Sequence, residues 1–132
     1  MDANKMEIKS EPKIEEGKKL LKELDSQGLN PEVAMWFYIP DGNIWRFIIG
    51  SSSFNNKTNQ KIYSDFVNKY KDLKQVKNVG LENITLLPNN DDLIVLLKKA
   101  IKTSPGTINN IRFTSNVING VLIEDALIYR IA

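Results

Sequence analysis

The stretch NVINGVLIEDALIYR, Asn116 to Arg130, constrains this chain more than any other. Asn119-Gly120, taken as a two-residue turn, is among the best short-range hairpin signals, and it is flanked by apolar and β-branched runs. Such a turn also sets the register. Ile118 then faces Val121, Ser115 faces Glu124, Thr114 faces Asp125 and Arg112 faces Leu127. Because side chains alternate across a strand, a slip of one residue would exchange the two faces. The expected hairpin covers 108–131.

In this register Asn110, Arg112, Thr114, Asn116, Asp125 and Tyr129 project from one face of the sheet. Ile111, Phe113, Val117, Leu122, Ala126 and Ile128 project from the other, with Ser115, Glu124 and Arg130 among them. The second, more apolar face is the expected core. The two carboxylates Glu124 and Asp125 then point to opposite sides and do not form a metal pair or an acid/base pair, unless a bulge near Ser115-Asn116 or Glu124-Asp125 re-aims them. The plain structural reading of the polar face is a cross-strand ion pair between Arg112 and Asp125. The functional reading is a shallow polar binding patch of Arg112, Thr114, Asn116, Asp125 and Tyr129.

A second hairpin is written at 33–49, where aromatic and β-branched runs flank Pro40-Asp41-Gly42-Asn43. A turn there sets Tyr38 against Trp45 and Trp36 against Phe47 on one side, with Met35, Ile48, Ile39 and Ile44 on the other. Both faces are apolar, so these strands belong inside the sheet. Of the aromatic group Trp36, Phe37, Tyr38, Trp45 and Phe47, Trp45, near the hairpin tip, is the member expected to be exposed. Trp45 and Arg46 form a candidate interface pair, since both residue types are frequent binding hot spots.

The remaining elements are set by periodicity. Ile14, Leu20, Leu21 and Leu24 mark a helix over about 13–27 that ends at Gly28-Leu29. Ile62, Phe66, Tyr70 and Leu73 mark a second over about 58–75. ENITLL, at 82–87, is a short strand stopped by Pro88. Asn89 or Asn90 caps a third helix, DDLIVLLKKAIK, whose aspartates and lysines lie at the ends that the helix dipole favours. The expected fold is a single α/β (mixed α+β) domain with a five-stranded mixed sheet and three helices, in the order α-β-β-α-β-α-β-β. Residues 1–12 are expected to be a tail and 13–132 the domain.

Composition narrows the chemistry. The chain has no cysteine and no histidine, which removes disulfides, thiolate chemistry, the commonest zinc ligands and the commonest general base. Asp91-Asp92 is explained by its place at a helix start. Gly50-Ser51-Ser52-Ser53 comes after a strand but lacks the glycine spacing and the lysine of a phosphate loop, so it reads as a flexible connection. No metal site and no cofactor is expected. No run reaches the length of a membrane span, and a cytoplasmic location is expected. The abundance of lysine, asparagine and isoleucine suggests an AT-rich bacterial or phage genome.

Net charge is +2 and the chain holds only three arginines, Arg46, Arg112 and Arg130. Lys57, Lys61, Lys69, Lys71, Lys74 and Lys77 give the second helix a basic face, which permits nucleic-acid contact, though Asp65 and Asp72 interrupt it. The favoured expectation is a non-catalytic interaction or accessory module of regulatory, immunity or inhibitor type. It would bind a protein partner, or a second copy of itself, through a hairpin face. The alternatives are a carboxylate-based, metal-dependent enzyme acting on a phosphate-bearing substrate, and a weak nucleic-acid binder working through the second helix.

Overall fold

The computed structural model describes residues 11–132. The expected tail lies outside the described residues except for its last two, of which Glu11 is exposed and Pro12 is buried. The elements run α1 (Ile14–Ser26), β1 (Val33–Ile39), β2 (Ile44–Ser51), α2 (Asn59–Tyr70), α3 (Lys74–Val79), β3 (Ile84–Pro88), α4 (Asp92–Lys98), β4 (Ile111–Ile118) and β5 (Val121–Ile131). They build the expected mixed sheet, in the order β3-β2-β1-β5-β4. Only β2 and β3 run parallel, joined through α2 and α3, while every other neighbouring pair is antiparallel.

The sheet separates two apolar layers. On one side Trp36, Tyr38, Trp45, Phe47, Leu127 and Tyr129 meet Leu20, Leu21 and Leu24 of α1 and the apolar stripes of α2 and α3. On the other side Val33, Met35, Ile48, Ala126 and Ile128 meet Ile94 and Leu97 of α4. Both faces of β1 and β2 are therefore covered, as their composition requires. The first hairpin pairs as its turn dictates, Trp36 with Phe47 and Tyr38 with Trp45.

The stretch expected to be one helix over 58–75 is two. Thr58 caps α2, its hydroxyl accepting from the Lys61 amide at 3.2 Å, and the helix ends at Tyr70. Leu73 is extended, and α3 then sets off in a new direction that buries Val76 and Val79 against the α1 side of the core. A straight continuation would prolong the Ile62, Phe66, Tyr70 stripe alone; the break lets the chain bury a second apolar pair. At α4 the cap is Asp91, whose carboxylate accepts from the Leu93 amide at 3.0 Å, rather than either asparagine. Asn89 is engaged elsewhere, bonded to Asn55.

The first turn of α1 lies very close to the sheet. The Trp36 indole donates to the Lys13 carbonyl at 3.2 Å, and the Tyr129 hydroxyl donates to the Ile14 carbonyl at 2.6 Å. Gly17 permits the approach, since a Cβ there would stand 2.6 Å from both Trp36 Nε1 and the Tyr129 hydroxyl.

Candidate functional site

The second hairpin keeps the register its turn sets, from Ile118 opposite Val121 to Ile111 opposite Ile128. Its facing departs from simple alternation in two places. Ser115 has φ +49, and the pair Ser115–Glu124 is missing from an otherwise continuous ladder. Toward the turn from that point, Ile118 and Ile123 are buried in the α4-side cluster, while Val117 and Leu122, expected in the core, are 65% and 60% exposed. A left-handed residue in a strand rotates the residues after it, so the tip of the hairpin presents the opposite face from the one its alternation implies.

The second departure is a bulge in the ladder to β1. Ala34 pairs with Arg130 and its neighbour Met35 with Ile128, leaving Tyr129 as the extra residue. The bulge aims Tyr129 and Arg130 to the same side, toward α1. The position of Arg130 beside Ile128 and Ala126 on the apolar face is thereby corrected. Its buried guanidinium instead makes two bonds to Asp25 of α1, at 3.1 and 2.8 Å, and donates to the carbonyls of Pro31 and Thr107. No bulge forms at Ser115-Asn116 or Glu124-Asp125, where the register runs through unshifted.

The expected patch is brought together only in part. Arg112 and Asp125 form a two-point ion pair, Nε to Oδ1 at 2.7 Å and Nη2 to Oδ2 at 2.8 Å. Asp125 is 2% exposed, whereas Arg112 reaches solvent with its guanidinium 5.7 Å from the centre of the Trp45 ring. The hydrogen bond to Asp125 is the main cause that holds the Arg112 pKa above its usual value. Thr114 and Asn116 are exposed beside the pair, and the Asn116 amide donates to the Thr114 carbonyl at 2.8 Å. Tyr129 shares the face but is fully buried beneath α1, and burial pushes its hydroxyl pKa well up. It is part of the core, not of a surface patch.

The candidate interface pair is placed differently from expectation. Trp45 is only 6% exposed, stacked at a tilt on Tyr38 and roofed by Arg112, and the half-buried member of the aromatic group is Phe37. Arg46 is a clamp between strands, donating to the Thr85 hydroxyl at 2.7 Å and to the carbonyls of Glu82 and Ile84. All three arginines thus serve structural bonds. The lysine face expected on one helix is divided between α2 and α3, and Lys57 and Lys61 both face Asp65, at 3.7 and 3.2 Å.

The serine loop is held rather than loose. The Ser52 amide and hydroxyl both donate to the Glu32 carboxylate, at 2.8 and 3.1 Å, so the chain's own acid occupies the donors that an anion would need. Among the described residues no group of three or more acidic, histidine or cysteine side chains is placed to hold a metal ion, and no helix is long and apolar enough to cross a membrane.

The apolar tip is the feature that periodicity does not reveal. Val117 and Leu122, cross-strand partners, stand exposed together near the end of the hairpin, beyond the part of β5 that pairs with β1, while the exposed Val121 lies on the other face, opposite Ile118. Next to the pair the exposed residues Thr114, Ser115 and Asn116 carry no charge. The residue types are visible in the sequence, but their exposure depends on the Ser115 backbone, which no spacing announces. No family model matches the chain, and neither a search of curated proteins nor one of solved structures finds a match.

Proposed function

We propose that this protein acts by binding, as an accessory module of regulatory, immunity or inhibitor type that engages a protein partner through the β4–β5 hairpin. The observation that carries the reading is the exposed cross-strand pair Val117 and Leu122 near the hairpin tip. Large apolar side chains are tolerated on a surface singly, but a contiguous group rimmed by polar residues favours a contact that removes it from water. The tip adjoins β4, an outer strand of the sheet that, among the described residues, pairs on one side only. Arg112, anchored by Asp125 and lying over Trp45, supplies a fixed cation at the base of the same surface. A central apolar group with a polar margin is the common anatomy of a protein interface.

The test is capture of partners from a native extract, with nuclease treatment, by the wild type and by a Val117→Lys, Leu122→Glu variant whose fold is checked by circular dichroism. One nuclease-resistant protein, recovered in proportion by the wild type and lost in the variant, is the expected outcome. Sedimentation of the purified chain separates self-association from a different partner. Equal recovery by both proteins, or recovery of nucleic acid alone, overturns the reading.

A further inference from the structure

A different part of the molecule holds a cavity. Between α2 and the segment that leads into it from β2 lies a cavity of about 480 Å³, walled by Phe54, Ile62, Phe66 and the ring of Tyr70. That volume lies within the range of small-molecule pockets. Tyr70 is 3% exposed, and its hydroxyl has no hydrogen-bond partner among the described residues. An unmade hydrogen bond at a buried hydroxyl is destabilising, and native proteins rarely tolerate one without a use. Burial also raises the Tyr70 pKa, which keeps the group a neutral donor.

The mouth of the cavity is charged. Lys57, Asp65 and Lys69 line it. Asp65 is shared by Lys57 and Lys61, so one carboxylate stands against two ammonium groups. The Lys69 ammonium lies over the Tyr70 ring, 5.6 Å from its centre. The local balance is therefore positive, beside a donor that lacks an acceptor and a wall that is aromatic and aliphatic.

We propose that this cavity binds a small amphiphilic carboxylate, its apolar body against Phe54, Ile62 and Phe66, and its carboxylate taking the unused Tyr70 hydrogen bond beside Lys57 and Lys69. Because the Tyr70 hydroxyl is itself buried, the ligand would reach it through a small outward swing of the ring. The positive mouth selects against cations, and the apolar wall selects against inorganic anions and sugars. This inference is independent of the hairpin surface, and either can fail alone.

The test is a titration of isotope-labelled protein with sodium octanoate, monitored by amide chemical shifts, with 1-octanol as the uncharged control. Saturable shifts confined to residues 53–70 are expected, with octanoate bound more tightly than octanol. Tyr70→Phe, which removes only the hydroxyl, weakens octanoate by about tenfold, and Lys69→Gln weakens it by about threefold. Neither variant alters octanol binding by more than the error. Three results overturn the proposal: no saturable shift at millimolar octanoate, shifts centred on the hairpin tip, or equal octanoate affinity in the wild type and both variants. Lys69→Gln changes an exposed side chain, so the test stands even if Tyr70→Phe perturbs folding.

Discussion

The two hairpins are built by the same rule and end differently. In each, a strong turn dipeptide sets the pairing, and in each the observed pairing is the one the turn requires. The β1–β2 hairpin stays regular, and both its faces are covered by helices. The β4–β5 hairpin contains a left-handed serine and borders a bulge, and its tip is bare. The difference separates two properties that are easily merged. A turn decides which residues are opposite each other, while local backbone irregularity decides which way they face.

Substitutions probe that contrast. The largest expected loss is in the covered hairpin: Phe47, fully buried against Trp36 and Tyr129, is expected to cost about 3–5 kcal/mol as Phe47→Ala. Chemical denaturation reads it directly, and a loss below about 1 kcal/mol would contradict the packing described. Gly17→Ala comes next, at about 1–3 kcal/mol, because the added Cβ forces α1 away from Trp36 and Tyr129. Ala is the better helix former, so a stabilised variant would show that α1 has room to approach the sheet with a side chain in place.

Ser115 tests the irregular hairpin itself. Ser115→Val is expected to cost about 1–2 kcal/mol, since a β-branched residue resists positive φ, while Ser115→Gly leaves stability unchanged or raises it. The opposite order would mean that the strand is regular there.

Tyr129→Phe removes one hydrogen bond to the Ile14 carbonyl and costs about 1 kcal/mol near neutral pH. Its pH dependence has a definite sign. The folded state holds the Tyr129 proton more tightly than the unfolded chain does, so below the ordinary tyrosine pKa of about 10 the group adds no pH dependence. Above it the unfolded state ionises first and stability falls. The wild type should therefore lose stability above about pH 10 more steeply than Tyr129→Phe; parallel alkaline curves would remove Tyr129 from that role.

The smallest effect is expected at the exposed tip. Val117→Thr and Leu122→Ser should each change stability by no more than about 0.5 kcal/mol. Retained stability with lost partner binding would mark the tip as a surface kept for contact.

Much of the fold is readable in the sequence because periodicity and turn chemistry are local. Ile14, Leu20 and Leu24 place α1, and Asn119-Gly120 places β4 against β5 with the correct partners. The Arg112–Asp125 pair comes from that register alone. The break after Tyr70 is not readable, because the residues around it favour a helix and only the burial of Val76 and Val79 against α1 offsets the interruption. Trp45 is expected near the surface because it lies close to a turn, but Arg112 of another strand covers it. Simple alternation puts Arg130 on the wrong side because a bulge is a relation between two strands and leaves no mark in either one. The candidate site is therefore legible as a set of residues and not as a surface.

β5 lies between β1 and β4, yet it is the last of the five strands in chain order. Until β5 arrives, the β1–β2 hairpin holds an unpaired apolar edge, and α1 lacks the Tyr129 and Arg130 bonds that fasten it to the sheet. Contacts so distant along the chain close slowly. A polypeptide emerging from a ribosome would spend that interval with its most aggregation-prone edge open, and completion of β5 would both close the sheet and end the hazard.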